Sequence, residues 1–91
     1  KHVYHNSDSL LAHDLLFQYA YTKKPKLGFI VSRKYGNSVN RNLFKRRCRY
    51  AFYQLIKQGF NYSVIIQPKA RNISWETINK SFKMLYEKNT D

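Results

Sequence analysis

Residues 26–49 read KLGFIVSRKYGNSVNRNLFKRRCR, and the hydrophobic period changes from two to about 3.6 within that stretch. Its first part, Leu27-Gly28-Phe29-Ile30-Val31-Ser32, is rich in β-branched and apolar types and reads as a strand. Gly36 and Asn37 end it, and Asn37 or Ser38 can cap a helix beginning near Val39 by accepting a hydrogen bond from a free backbone N–H. From Val39 to Gln58 the spacing is helical. At about 100° per residue, Phe44, Cys48, Ala51, Phe52 and Leu55 gather on one side, the expected core face. Asn42, Lys45, Arg46, Arg49 and Tyr53 fall roughly opposite. Gly59 is a C-terminal stop signal, and Lys57 in the last turn suits the helix dipole.

Outward from this helix, Tyr62-Ser63-Val64-Ile65-Ile66-Gln67 reads as a strand stopped by Pro68. A connection containing a helix allows it to pair in parallel with Leu27–Ser32. On the other side, residues 15–22 alternate as a strand, with Leu15, Phe17, Tyr19 and Tyr21 on one face. The turn Thr22–Lys26, marked by Pro25 and solvated by Lys23, Lys24 and Lys26, is short. It predicts that the strands on either side of it are antiparallel neighbours. Ser74 opens a last helix, Trp75 to Lys88, with Ile78, Phe82 and Leu85 at helical spacing. Residues 1–14 carry too little periodicity to assign an element. The expectation is an α/β fold: one domain over residues 1–91, with a small mixed β-sheet and helices packed on it.

Charge narrows the function. The 17 Lys and Arg outnumber the 5 Asp and Glu, a net charge of +12. Acids occur only at Asp8, Asp14, Glu76, Glu87 and Asp91, so the 13 Lys and Arg between Leu15 and Trp75 share an interval without a carboxylate. With 43% hydrophobic and 16% aromatic residues, the charge sits on a folded body and not on a disordered tail. Interleaved cations and rings point to nucleic acid as the compensating polyanion. No stretch has the amphipathic character of a membrane-surface helix, and no apolar run is long enough to span a bilayer.

The cations are ordered along the helix. Arg41, Lys45 and Arg49 stand four residues apart, with Asn42 and Arg46 in the adjoining row. Like charges at this spacing each cost a helix about 0.2–0.5 kcal/mol, and no local acid offsets them. A stripe about 12 Å long with forked guanidinium donors suits phosphates along a backbone. A helix-turn-helix recognition unit is excluded, because a strand and turn precede this helix.

Catalytic constellations are absent from the sequence. His2, His5 and His13 lack the spacing of a metal site, so no metal ligands are assigned. Cys48 falls on the core face and reads as a small hydrophobe. It cannot form an internal disulfide, being the single Cys.

Residues 26–49, taken with the order of elements from Leu15 to Lys88, resemble the signature of the bacterial ribonuclease P protein subunit. That family runs from a Leu-Gly strand through a Ser-Lys-Lys-x-Gly turn into an Arg-Asn-x-x-Lys-Arg-x-x-Arg helix. The resemblance implies an α/β sandwich with a left-handed strand–helix–strand crossover, where general handedness rules favour the right hand. It also implies an accessory subunit of an endoribonuclease with no catalytic residue of its own. The RNA subunit, working with Mg2+, would remove the 5′ leader of precursor tRNA in the bacterial cytoplasm, and this chain would bind both RNAs and no DNA. Arg41, Asn42, Lys45, Arg46 and Arg49 would lie on RNA, with Lys34 and Asn37 beside them. Phe17, Tyr19 and Tyr21 would line a leader-binding cleft, although the same row would otherwise simply pack the core. The family's basic N-terminal helix is expected to be missing from this chain. Tyr50 stands where the family often has Glu, leaving the helix more cationic. The competing reading is a structural RNA-binding protein, such as a small ribosomal component.

Overall fold

The structure, a computed structural model, describes residues 8–89. Four strands form one sheet: β1 (Asp8–Ala12), β2 (Leu15–Tyr21), β3 (Leu27–Phe29) and β4 (Tyr62–Pro68), in the order β1-β2-β4-β3. Two helices, α1 (Ser38–Lys57) and α2 (Trp75–Lys88), complete it, with a 3-10 turn at Arg33–Tyr35 leading into α1. The mixed α/β expectation holds, and β3 pairs with β4 in parallel through the α1 connection.

The strand expected over Leu27–Ser32 stops at Phe29, and two further strand readings are corrected. β2 and β3 are not neighbours, because β4 lies between them and pairs antiparallel with β2 along seven residues, Leu15↔Pro68 to Tyr21↔Tyr62. The Thr22–Lys26 linker therefore crosses over one strand. Two strand spacings amount to about 10 Å, which five extended residues span easily. β4 offers β-branched residues to both neighbours, whereas β3 is only three residues long, so pairing through β4 satisfies more backbone groups than a β2–β3 hairpin would. The second correction is β1, which pairs with β2 from Asp8↔Tyr19 to Ala12↔Leu15. The chain reverses at His13-Asp14, where His13 takes a left-handed φ of 56°.

Both helices pack on the same sheet face. Phe17, Ile66 and Phe29 lie in register across β2, β4 and β3. Phe17 meets Phe82 of α2 edge-on at 5.1 Å between centroids, and Phe29 meets Phe44 of α1 at 6.3 Å. The result is a two-layer sandwich with Leu15, Phe17, Tyr19, Val64 and Ile66 against Phe44, Cys48, Leu55, Ile78, Phe82 and Leu85. Buried Ser81 ties the layers by donating to the Ala12 carbonyl at 3.0 Å. The opposite sheet face, with Leu16, Gln18, Ile65 and Gln67, is at most half-buried.

α1 ends as its sequence predicts. Gly59 adopts φ 92°, Gly59 N–H donates to the Ile56 carbonyl and Phe60 N–H to that of Leu55, the paired bonds of a Schellman stop.

Candidate nucleic-acid interface

The face of α1 turned from the sheet carries the stripe. The buried side is Phe44, Cys48, Ala51, Phe52 and Leu55, the same five positions the spacing predicts. Asn42, Arg46 and Arg49 are exposed, with Arg41 and Lys45 half-buried beside them. Among the described residues the ion pair is Lys80–Glu76 at 3.2 Å on α2, and no α1 cation joins one. The guanidinium of Arg49 stands 5.6 Å over the Phe29 ring, which orients it toward the β3 edge. Arg41 donates from Nη1 to the Gly36 carbonyl at 2.9 Å, so part of its fork holds the turn and the remaining N–H groups stay available.

The turn that presents Lys34 and Asn37 is clamped from several directions. Arg71 Nε donates to the Lys34 carbonyl at 2.7 Å, and the Ile73 N–H donates to the buried Tyr35 hydroxyl at 3.1 Å. Gly36 brings the turn close to the helix: a Cβ there would sit 3.1 Å from that of Asn40. Asn37 is the N-cap of α1, its Oδ1 accepting the Asn40 N–H at 2.9 Å. Asn37→Ala is therefore expected to lower stability by about 0.5–2 kcal/mol in a denaturant titration, while Asn37→Ser stays within a few tenths. Equal stability of the alanine variant would show that the cap contributes nothing.

Sequence reasoning missed a cleft. Because β3 and β4 run parallel, the loops leaving their C-terminal ends meet, and a crevice at such ends is a recurrent binding place. Here it encloses about 560 Å³ and is lined by Ser32, Lys34, Gln67, Lys69 and Arg71 among others. Lys34 was legible as a site residue, but Lys69 and Arg71 join it only once the parallel pairing is known.

The aromatic row behaves differently from the cleft expectation. Phe17 is 0% and Tyr19 2% exposed, so both rings are core, covered by the helical layer. Burial pushes the Tyr19 hydroxyl up from its ordinary pKa. Tyr21 alone of the three is open, 67% exposed at the end of β2 and edge-on to Tyr62 at 5.9 Å. Alternation places the three rings on one face of the strand; it does not reveal that two helices cover that face.

Cys48 is not presented as a nucleophile. Cys48 is fully buried, and burial pushes its thiol up to about 12. That raised value means its protonated form favours folding, a contribution present below the ordinary thiol range and lost as pH rises toward 12. Among the described residues no three His, Cys, Asp or Glu side chains come together as metal ligands. His2 and His5 lie outside the described residues, as does the start of the chain where the family's first helix was expected to be missing. No described helix is long and apolar enough to cross a membrane.

Comparison with known proteins adds a family. The sequence profile described as Ribonuclease P matches residues 1–90. The ribonuclease P protein component of Bacillus pumilus is 38% identical over 66 residues, covering 69% of this chain and 56% of that protein. The component from Geotalea uraniireducens is 34% identical over 77 residues, covering 81% and 67% respectively. The first curated relatives are thus matched over about half their length, 56%, 54% and 48%. Among solved structures, the RNase P protein of Thermotoga maritima superposes with a TM-score of 0.75 at 18% identity, covering 98% of this chain and 89% of that one. A Staphylococcus aureus RNase P protein mutant gives 0.74 at 22% identity, covering 94% and 77%. At these identities the two structures speak for the fold.

Proposed function

This chain belongs to the ribonuclease P protein family, and from that premise we propose that it is the protein subunit of a bacterial, cytoplasmic ribonucleoprotein that trims the 5′ leader from precursor tRNA. The observation that carries the proposal is the exposed, acid-free cation stripe of α1 beside the clamped turn bearing Lys34. In this reading Arg46 and Arg49, with Lys45, Asn42 and the free donors of Arg41, hold phosphates of the catalytic RNA. Lys34, Lys69 and Arg71 give the neighbouring cleft the charge to hold the backbone of a single strand, the leader. Side chains that contact phosphate and sugar tolerate any base, which suits leaders of varied sequence.

The chain's role is to bind and position, while bond cleavage belongs to the RNA. Mg2+ prefers carboxylate and phosphate oxygens. The stripe and cleft offer cations, amides and hydroxyls but no carboxylate, so these residues do not fit a resident Mg2+ and the ion falls to the RNA's phosphates. Neutralising those phosphates lowers the repulsion between two RNAs brought together, an effect largest when divalent ions are scarce.

The test is reconstitution. Bacterial ribonuclease P RNA and precursor tRNA are incubated at low magnesium with and without this protein. Stimulated leader removal is expected, with no cleavage by the protein alone. Absence of stimulation, with RNA binding retained, would favour a structural RNA-binding protein instead.

A further inference from the structure

The exposed row of α1 does not stop at Arg49. At about 100° per residue, Tyr53 and Lys57 continue the line of Asn42 and Arg46, carrying it to roughly 22 Å from Asn42 to Lys57. Tyr53 is 57% exposed, and Lys57 Nζ sits 4.9 Å over the centre of its ring. Tyr50, one turn back, is also exposed, with its ring 5.7 Å from that of Trp75. The first half of the row is therefore forked donors and the second half is ring plus cation. On a purely solvated helix end the ring would gain only the exposed contact with Lys57, about 0.5–1 kcal/mol, and no acid stands between Leu15 and Trp75 to balance that cation.

We infer that the C-terminal half of α1 is a second RNA subsite, in which an unpaired nucleotide of the catalytic RNA stacks on Tyr53 while Lys57 holds its phosphate. The inference rests on the reading of α1 as the face docked on that RNA. Paired bases hide their faces in the helix stack, so a lone ring on a surface selects a loop or bulge nucleotide. Every base has a π-face, so the subsite takes any base. A stacked base is worth more than an exposed cation–π contact, so the nucleotide displaces Lys57 from the ring and the freed ammonium meets the adjoining phosphate. Arg46, two turns back on the same line, fixes the register at which the nucleotide arrives.

The experiment measures affinity of the full chain for ribonuclease P RNA, without precursor tRNA, over a series of salt concentrations. Tyr53→Ala, Tyr53→Phe, Lys57→Ala and Arg46→Ala are compared, with thermal unfolding checked for each. Tyr53→Ala is expected to weaken binding about 5-fold or more with an unchanged salt slope. Tyr53→Phe should stay within about twofold, since the ring and not the hydroxyl stacks. Lys57→Ala should flatten the slope by about 0.7–0.9. Binding by Tyr53→Ala within twofold of the parent, while Arg46→Ala is weakened, overturns the subsite and leaves the docking face standing. Equal loss for alanine and phenylalanine at Tyr53, or loss that tracks reduced thermal stability, also overturns it. If neither Arg46→Ala nor Tyr53→Ala changes binding, α1 does not dock on RNA, and both readings fall.

Discussion

Phe17→Ala is expected to destabilise the protein by about 3–5 kcal/mol, the usual cost of emptying a fully buried aromatic site. Its ring has no exposure, lies opposite Leu10 and Ile66 across the sheet, and meets Phe82 edge-on. Removing it costs both the transfer energy and the cavity, because β2 is fixed on both sides and α2 cannot collapse into the space without breaking its Ser81 bond to β1. In a domain this small, about 1 kcal/mol moves the unfolding midpoint by about 4–8 °C, so a shift of about 12–40 °C is expected. Tyr21→Ala, at the open end of the same strand face, should change stability by under about 1 kcal/mol. Denaturant unfolding of both variants decides whether this row is core. If the two lose similar small amounts, Phe17 is not packed as described.

The second large effect is on RNA. Replacing Arg46 and Arg49 together with Ala should flatten the dependence of log affinity on log salt by about 1.4–1.8, two phosphates' worth. Both side chains are exposed, so the thermal midpoint should fall only by the share of the Arg49–Phe29 contact, about 2–8 °C. Loss of affinity without loss of fold is what separates an interface from a structural cluster. Arg49 has a role within the fold through its place over Phe29, a contact worth about 0.5–1 kcal/mol at an exposed site. Arg46 is therefore the cleaner of the two probes. An unchanged salt slope in the double variant would mean that the stripe faces only solvent.

How much of this was legible before the structure depends on whether the signal was local. α1 was legible to within a residue: its cap was left between Asn37 and Ser38 and proves to be Asn37, Gly59 stops it, and its five core positions follow from helical spacing alone. β4 and α2 followed in the same way, each bounded by its own punctuation at Pro68 and Ser74. β1 was not, because Asp8–Ala12 lacks alternation and its turn uses His13 in a left-handed conformation where Gly or Asn would have been the readable sign. Strand order was not legible either, since a short linker constrains distance and leaves open whether a third strand enters between its ends. The stripe was visible because every member sits on one helix. The cleft was not, because Lys34 and Arg71 come from loops that meet only through β3–β4 pairing.

The clamp on the turn before α1 has a consequence for how the molecule is made. The bonds from Arg71 to Lys34 and from Ile73 to Tyr35 link positions 37 and 38 residues apart, and neither can form until β4 has joined the sheet beyond α1. A chain folded only as far as α1 would hold nearly every stripe residue, yet the loop feeding its N-terminus would still be fluctuating. Under the proposed function, RNA recognition is thereby coupled to long-range closure of the polypeptide, and premature engagement by a half-made protein is disfavoured.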